Sequence, residues 1–139
     1  MPNFKLVISH GSKSWQTEKD QKECPLLGKR IGETVDGTSF GLDGYTLEVT
    51  GGSDKDGFPM RKDVEGIVRR HIVLEGGVGY KPKYRGTRRR KTIRGNTVAP
   101  EIVQINLKVS KQGTKTLEEL LGKKEKTEGE KAEAEKENK

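Results

Sequence analysis

Phe4, Leu6 and Ile8 alternate with Lys5, Val7 and Ser9, a period of two that predicts a first strand over residues 3 to 9. After His10-Gly11-Ser12 turns the chain, Ser14-Trp15-Gln16-Thr17-Glu18 reads as a short second strand with Trp15 as a core anchor, and Glu18 to Lys22 as solvated connection. Leu26 to Gly32 is too short and glycine-broken for a long helix. It leads into a short strand and turn at Glu33 to Gly37, and the glycines from Thr38 to Gly44 mark another loop. Tyr45 to Thr50 alternates again and predicts a strand. Gly51 to Met60 reads as a loop, because its glycines permit positive φ and its aspartates favour turns, with Phe58 and Met60 pinning it to the body. Ile67 to Leu74 has strand composition and a rhythm that a short helix would share; Gly66 and Gly76-Gly77 tip it to strand. The clearest alternation is Glu101 to Val109, where Val103, Ile105, Leu107 and Val109 share one face and close the core.

Beyond Gly113 the pattern changes. Lys115 to Leu121 spaces Leu117, Leu120 and Leu121 for two turns of amphipathic helix, which Gly122 ends. From Lys123 to Lys139 only Ala132 and Ala134 are apolar, so burial there cannot offset the entropy of ordering. The expected organisation is a β domain at 1–113, a short helix at 114–122 and a disordered Lys/Glu tail at 123–139. Many short strands between glycine-rich turns point to an all-β barrel or sandwich, closed so that strand edges are covered.

Composition narrows the function. With 29 % hydrophobic and 35 % charged residues in 139, the core is small and one domain is expected. No apolar run approaches the roughly 20 residues of a membrane span, and Met-Pro-Asn-Phe-Lys lacks a signal-peptide plan, so a cytosolic protein is expected. Cys24 is the only cysteine; it can form no intrachain disulfide and reads as a small buried apolar residue.

Charge is concentrated in one place. Lys81 to Arg94 carries eight cations and no acid, and removing them from the formal net charge of +7 leaves −1 for everything else. That is the footprint of a polyanion binder. Five of the eight are arginines, whose planar fork matches phosphate. Tyr80 and Tyr84 interleave with them and could stack on unpaired bases, while Pro82, Gly86 and Gly95 shape the path. The alternative is a solvated, flexible charge run, against which the arginines, the tyrosines and the shaped backbone weigh; a nuclear-localisation or membrane-surface role explains neither the tyrosines nor the internal position.

Other motifs carry less. Asp54-Lys55-Asp56-Gly57 lacks the further ligands of a calcium loop and reads as a turn. His10 and His71 have no partner at metal or catalytic spacing, and Gly76-Gly77-Val78-Gly79 is followed by no Gly-Lys-Ser/Thr. No acid, base and nucleophile assemble, so an enzyme is not expected; no cofactor and no metal are called for.

Gly44 to Met60, with its Gly-Gly-Ser-Asp-Lys-Asp-Gly-Phe-Pro-Met string, followed by Tyr80-Lys81-Pro82-Lys83, Gly86 to Lys91 and Arg94-Gly95, resembles the small-subunit ribosomal protein family S6e of archaea and eukaryotes over roughly residues 1 to 113. The resemblance implies an all-β fold, a small closed or partly open β-barrel like those of translation factors, here with a short C-terminal helix. It implies a structural role in the cytoplasmic ribosome, partnered by small-subunit ribosomal RNA and neighbouring ribosomal proteins, with no membrane and a monomer when free. The RNA-contacting positions it implies are Lys81, Lys83, Arg85, Arg88, Arg89, Arg90, Lys91 and Arg94, with Lys55, Arg61 and Lys62 as weaker candidates; Tyr84 joins them as the stacking candidate read from its place among the cations. Eukaryotic members extend into a basic helix with a modified serine cluster. This chain has no serine after Ser110, so that regulation is not carried over and the short form looks archaeal. The rival reading is a non-ribosomal β-barrel module docking an acidic partner.

Overall fold

The computed structural model describes residues 3–121, so the expected tail at 123–139 and the Gly122 stop lie outside the described residues. β1 (Asn3–His10) buries Phe4, Leu6 and Ile8 completely, as its alternation requires. β2 (Lys13–Asp20) returns antiparallel, with Ile8 opposite Trp15 and Phe4 opposite Lys19. It is longer than expected and takes in Glu18 to Asp20, which read as solvated connection. An edge strand with one wet face tolerates such charged residues, and Trp15 is only partly buried against the core.

β3 (Thr34–Asp36) leads through a turn of 3-10 helix at Gly37–Phe40 to β4 (Thr46–Asp54). β4 corrects the expected loop over Gly51 to Met60, because its ladder runs on through Gly51-Gly52 to Asp54. At Gly52 a Cβ would lie 2.4 Å from the Gln104 carbonyl oxygen, so a close approach of strands, not a turn, requires that glycine. β5 (Arg69–Leu74), β6 (Arg89–Arg94) and β7 (Ile102–Lys111) complete the strands, and residues 117–121 are helical. No helix among the described residues is long and apolar enough to cross a membrane.

Five strands form one sheet in the order β2-β1-β7-β4-β3, curled into a half-barrel, the partly open form of the expected fold. Its centre is the parallel β1–β7 pair, which buries Ile105 and Leu107 beside Leu6 and Ile8. Leu117 and Leu121 pack into the same core, and Lys13 pairs with Glu118 above it.

β5 and β6 form a separate two-stranded antiparallel ribbon. Its own small core contains Val64, Leu74, Tyr80 and Ile93. Main-chain bonds lace its end to the body: the Arg94 amide donates to the Pro59 carbonyl (2.9 Å) and the Arg61 amide to the Arg94 carbonyl (3.1 Å). Just beyond, Gly95 crosses so close to Gly66 that a Cβ would stand 1.9 Å from the Gly66 oxygen. The basic segment is therefore not all loop, since Arg89 to Arg94 is strand.

Candidate nucleic-acid interface

Strand geometry distributes the cations. Opposed residues of an antiparallel pair share a face, so the register puts Arg70/Ile93, Ile72/Lys91 and Leu74/Arg89 on one side of the ribbon. Arg69/Arg94, His71/Thr92 and Val73/Arg90 take the other. The adjacent Arg89 and Arg90 thus point to opposite faces, both exposed. Arg70, exposed opposite Ile93, joins this surface although it lay outside the expected set; its only sequence signal was the Arg69-Arg70 pair in a strand.

From Leu74 the chain loops out to Arg89. Tyr80 is the loop's anchor: it is buried among Val64, Leu74 and Ile93, its hydroxyl donates to the Thr87 carbonyl (3.5 Å), and Lys91 Nζ lies 5.9 Å from its ring centre. It is not available to stack on a base, which corrects half of the tyrosine expectation. Tyr84 is 68 % exposed, with Lys83 Nζ 5.7 Å from its ring centre. Lys81, Lys83, Arg85, Arg88, Arg89 and Arg90 are exposed and Lys91 is half-buried. Among the described residues, none of these seven is ion-paired with an acid.

Arg94 differs. It is 4 % exposed; its Nη1 lies 3.1 Å from Asp54 Oδ2 and 2.7 Å from Glu101 Oε2. Its charge is matched inside the protein by two carboxylates. The centre of this network is Asp54. Oδ1 accepts from the amides of Asp56 (2.9 Å) and Phe58 (3.1 Å), closing the turn. Oδ2 accepts from Arg69 Nε (2.7 Å) and Arg94 Nη1 (3.1 Å). Burial pushes the Asp54 carboxyl up, but the hydrogen bonds from Arg69, Arg94 and the two amides outweigh it and leave the pKa below the ordinary value. Arg69 also pairs with Asp56 and stacks over the Phe58 ring at 4.9 Å. Asp54 thus ties β4, β5, β6 and the turn together, and both its oxygens are occupied by protein donors. Among the described residues no group of three His, Cys, Asp or Glu side chains is placed to hold a metal.

The weaker candidates divide. Arg61 donates to Asp63 Oδ2 (2.8 Å) and to the carbonyls of Gly76 (3.4 Å) and Val78 (3.0 Å), so it braces the start of the loop. That bond also holds the Asp63 carboxyl below its ordinary pKa. Lys55 and Lys62 are exposed but line different clefts: Lys55 one beside Arg69, Lys62 one beside Met60 and Val78. His71 Nδ1 meets the Thr92 hydroxyl at 2.8 Å on the ribbon, a cross-strand link and not a catalytic pair.

Residues 4–122 match the family model of ribosomal protein S6e. The small ribosomal subunit protein eS6 of Methanothermobacter thermautotrophicus is 56 % identical over 120 residues, covering 86 % of this chain and 95 % of that protein. The protein of the same name from Methanocaldococcus jannaschii is 49 % identical over 88 % of this chain and 93 % of its own. That from Archaeoglobus fulgidus is 48 % identical over 88 % and 98 %. The match over residues 4–122, nearly all of the described length, together with these relatives, places this chain in the ribosomal protein S6e family.

Proposed function

We propose that this protein is a structural constituent of the small ribosomal subunit that binds ribosomal RNA through the β5–β6 ribbon and the loop joining its strands. As a member of its family it is a non-enzymatic protein of the small subunit, at home on the cytoplasmic ribosome. The observation that carries the RNA reading is the contrast within the basic segment. Seven cations from Lys81 to Lys91 lack an acidic partner among the described residues, while the eighth, Arg94, is paired and buried. Unpaired like charges close together on one element repel, and a row of phosphates relieves that repulsion. Because Arg89 and Lys91 face one side and Arg90 the other, the ribbon suits insertion between two phosphate rows better than lying flat on one. Tyr84 adds a stacking platform for an unpaired base.

Sucrose-gradient sedimentation of native lysate tests the reading. The protein co-migrates with small subunits, and substitution of Arg85, Arg88, Arg89 and Arg90 by Ala shifts it toward the soluble fraction. Recovery of the unaltered protein only in the soluble fraction refutes it and favours the adaptor with an acidic partner.

A further inference from the structure

Where the Asp54 turn, the approach to β5 and the start of β7 meet, the surface opens into a cleft of about 430 Å³ lined by Lys55, Asp56, Ile67, Val68, Arg69, Arg94 and Glu101, with the Asp56 carboxylate taken up by Arg69. No residue from Lys81 to Lys91 lines it, so it is separate from the unpaired cations. Ile67 and Val68 are 48 % and 62 % exposed, an apolar rim on an otherwise charged site. Glu101 is bonded through Oε2 to Arg94, and its Oε1 has no partner among the described residues. Arg94 holds the Glu101 carboxyl below its ordinary pKa, so at neutral pH it only accepts hydrogen bonds. Lys55 stands exposed nearby. Within the wall, Arg94 Nε is a buried donor that no atom of the described residues accepts.

We propose that this cleft receives one unstacked RNA base bearing an amino group, seated against Ile67 and Val68 and read by Glu101. The inference deepens the RNA-binding reading and rests on it. Each part of the cleft matches a part of a nucleotide. The two branched side chains cover a flat ring, and the Lys55 ammonium meets its phosphate. The free Glu101 oxygen accepts from the exocyclic amine of adenine, guanine or cytosine. Uracil has no amine, and its ring N–H is flanked by two carbonyl oxygens that the carboxylate repels. The cleft therefore discriminates by hydrogen-bond polarity, whereas the ribbon's contacts are to phosphate and indifferent to sequence. Its volume falls within the range of small-ligand sites.

The test uses the full chain with ¹³C-labelled Ile and Val methyl groups, titrated with AMP, GMP, CMP and UMP in the millimolar range. The Ile67 and Val68 methyl resonances shift with the three amino-bearing nucleotides at about fivefold lower concentration than with UMP. Glu101→Gln, which can still accept from Arg94 but turns an amide donor toward the base, abolishes the difference; its melting curve reports on folding. Val68→Ser weakens all four alike. Absence of methyl shifts with every nucleotide, equal affinity for all four, or a preference that survives Glu101→Gln overturns the proposal. Replacing Arg88, Arg89 and Arg90 by Ala weakens binding of long RNA but leaves the nucleotide preference intact. The cleft and the ribbon are therefore judged by different readouts.

Discussion

Replacing Asp54 by Asn removes one charge from the junction that holds the ribbon to the half-barrel, and its cost follows from the contacts. The side chain is fully buried and accepts four hydrogen bonds, two of them from guanidinium groups. Asn is nearly the same size, so packing is preserved. What changes is that one oxygen becomes an NH₂, which confronts either the two arginines or the two turn amides with a donor. Removing one partner of a buried ion pair costs about 3–5 kcal/mol. Arg94 keeps Glu101 and Arg69 keeps Asp56, which places the loss near the lower end, about 3 kcal/mol. For a domain of this size that lowers the melting temperature by about 10–15 °C, read by far-UV circular dichroism. The pH dependence gives a second, independent reading. The Asp54 pKa is depressed in the folded state, so its contribution is present above the unfolded carboxylate value of 3.8 and is lost as pH falls through the lower folded value. The gap between wild type and Asp54→Asn therefore closes in strong acid. A melting temperature within a degree of wild type, or a gap that does not shrink on acidification, refutes the assignment of Asp54 as the junction.

Four further outcomes follow from the packing and the ribbon. Gly95→Ala drives a methyl group onto the Gly66 carbonyl and prevents stable folding, whereas Gly51→Ala, which meets nothing within 4 Å, leaves the melting temperature unchanged or slightly raised; thermal denaturation of both checks this. Tyr80→Ala empties the ribbon's core and costs about 3–5 kcal/mol in urea unfolding. Tyr84→Ala leaves unfolding unaltered and weakens binding to a single-stranded RNA by about 1–3 kcal/mol, by fluorescence anisotropy. Cys24, 6 % exposed and with its thiol pKa raised chiefly by burial, reacts slowly with a thiol reagent at pH 8 in the folded protein and rapidly in denaturant.

The alternation in β1, in the first half of β4 and in β7 made the half-barrel legible, because there one face is core and the other water. The pattern failed where that contrast is absent. β2 extends through Glu18 to Asp20 as an edge strand whose charges sit comfortably in solvent. β4 continues through Gly51-Gly52, residues that signal a turn unless a neighbouring strand is known to come close. β6 is concealed by charge: Arg89 to Lys91 look like loop until Ile72, Val73 and Leu74 are found opposite them. In the candidate interface, density of cations identified the segment, but only three-dimensional pairing separates Arg94 from the other seven. Asp54 lies 40 residues before Arg94, and local sequence showed only its turn. Tyr80 and Tyr84 are alike in sequence; the difference between anchor and exposed platform arises from Ile93 and Leu74 packing on one and not the other.

The most direct measurement is the salt dependence of binding to a fragment of small-subunit ribosomal RNA, for wild type and for a variant with Arg85, Arg88, Arg89 and Arg90 replaced by Ala. Each phosphate neutralised contributes about 0.7–0.9 to the slope of log affinity against log salt, so four arginines on phosphate flatten it by roughly three to four units. An equal slope in the two proteins would contradict the claim that these unpaired cations are the RNA-binding surface.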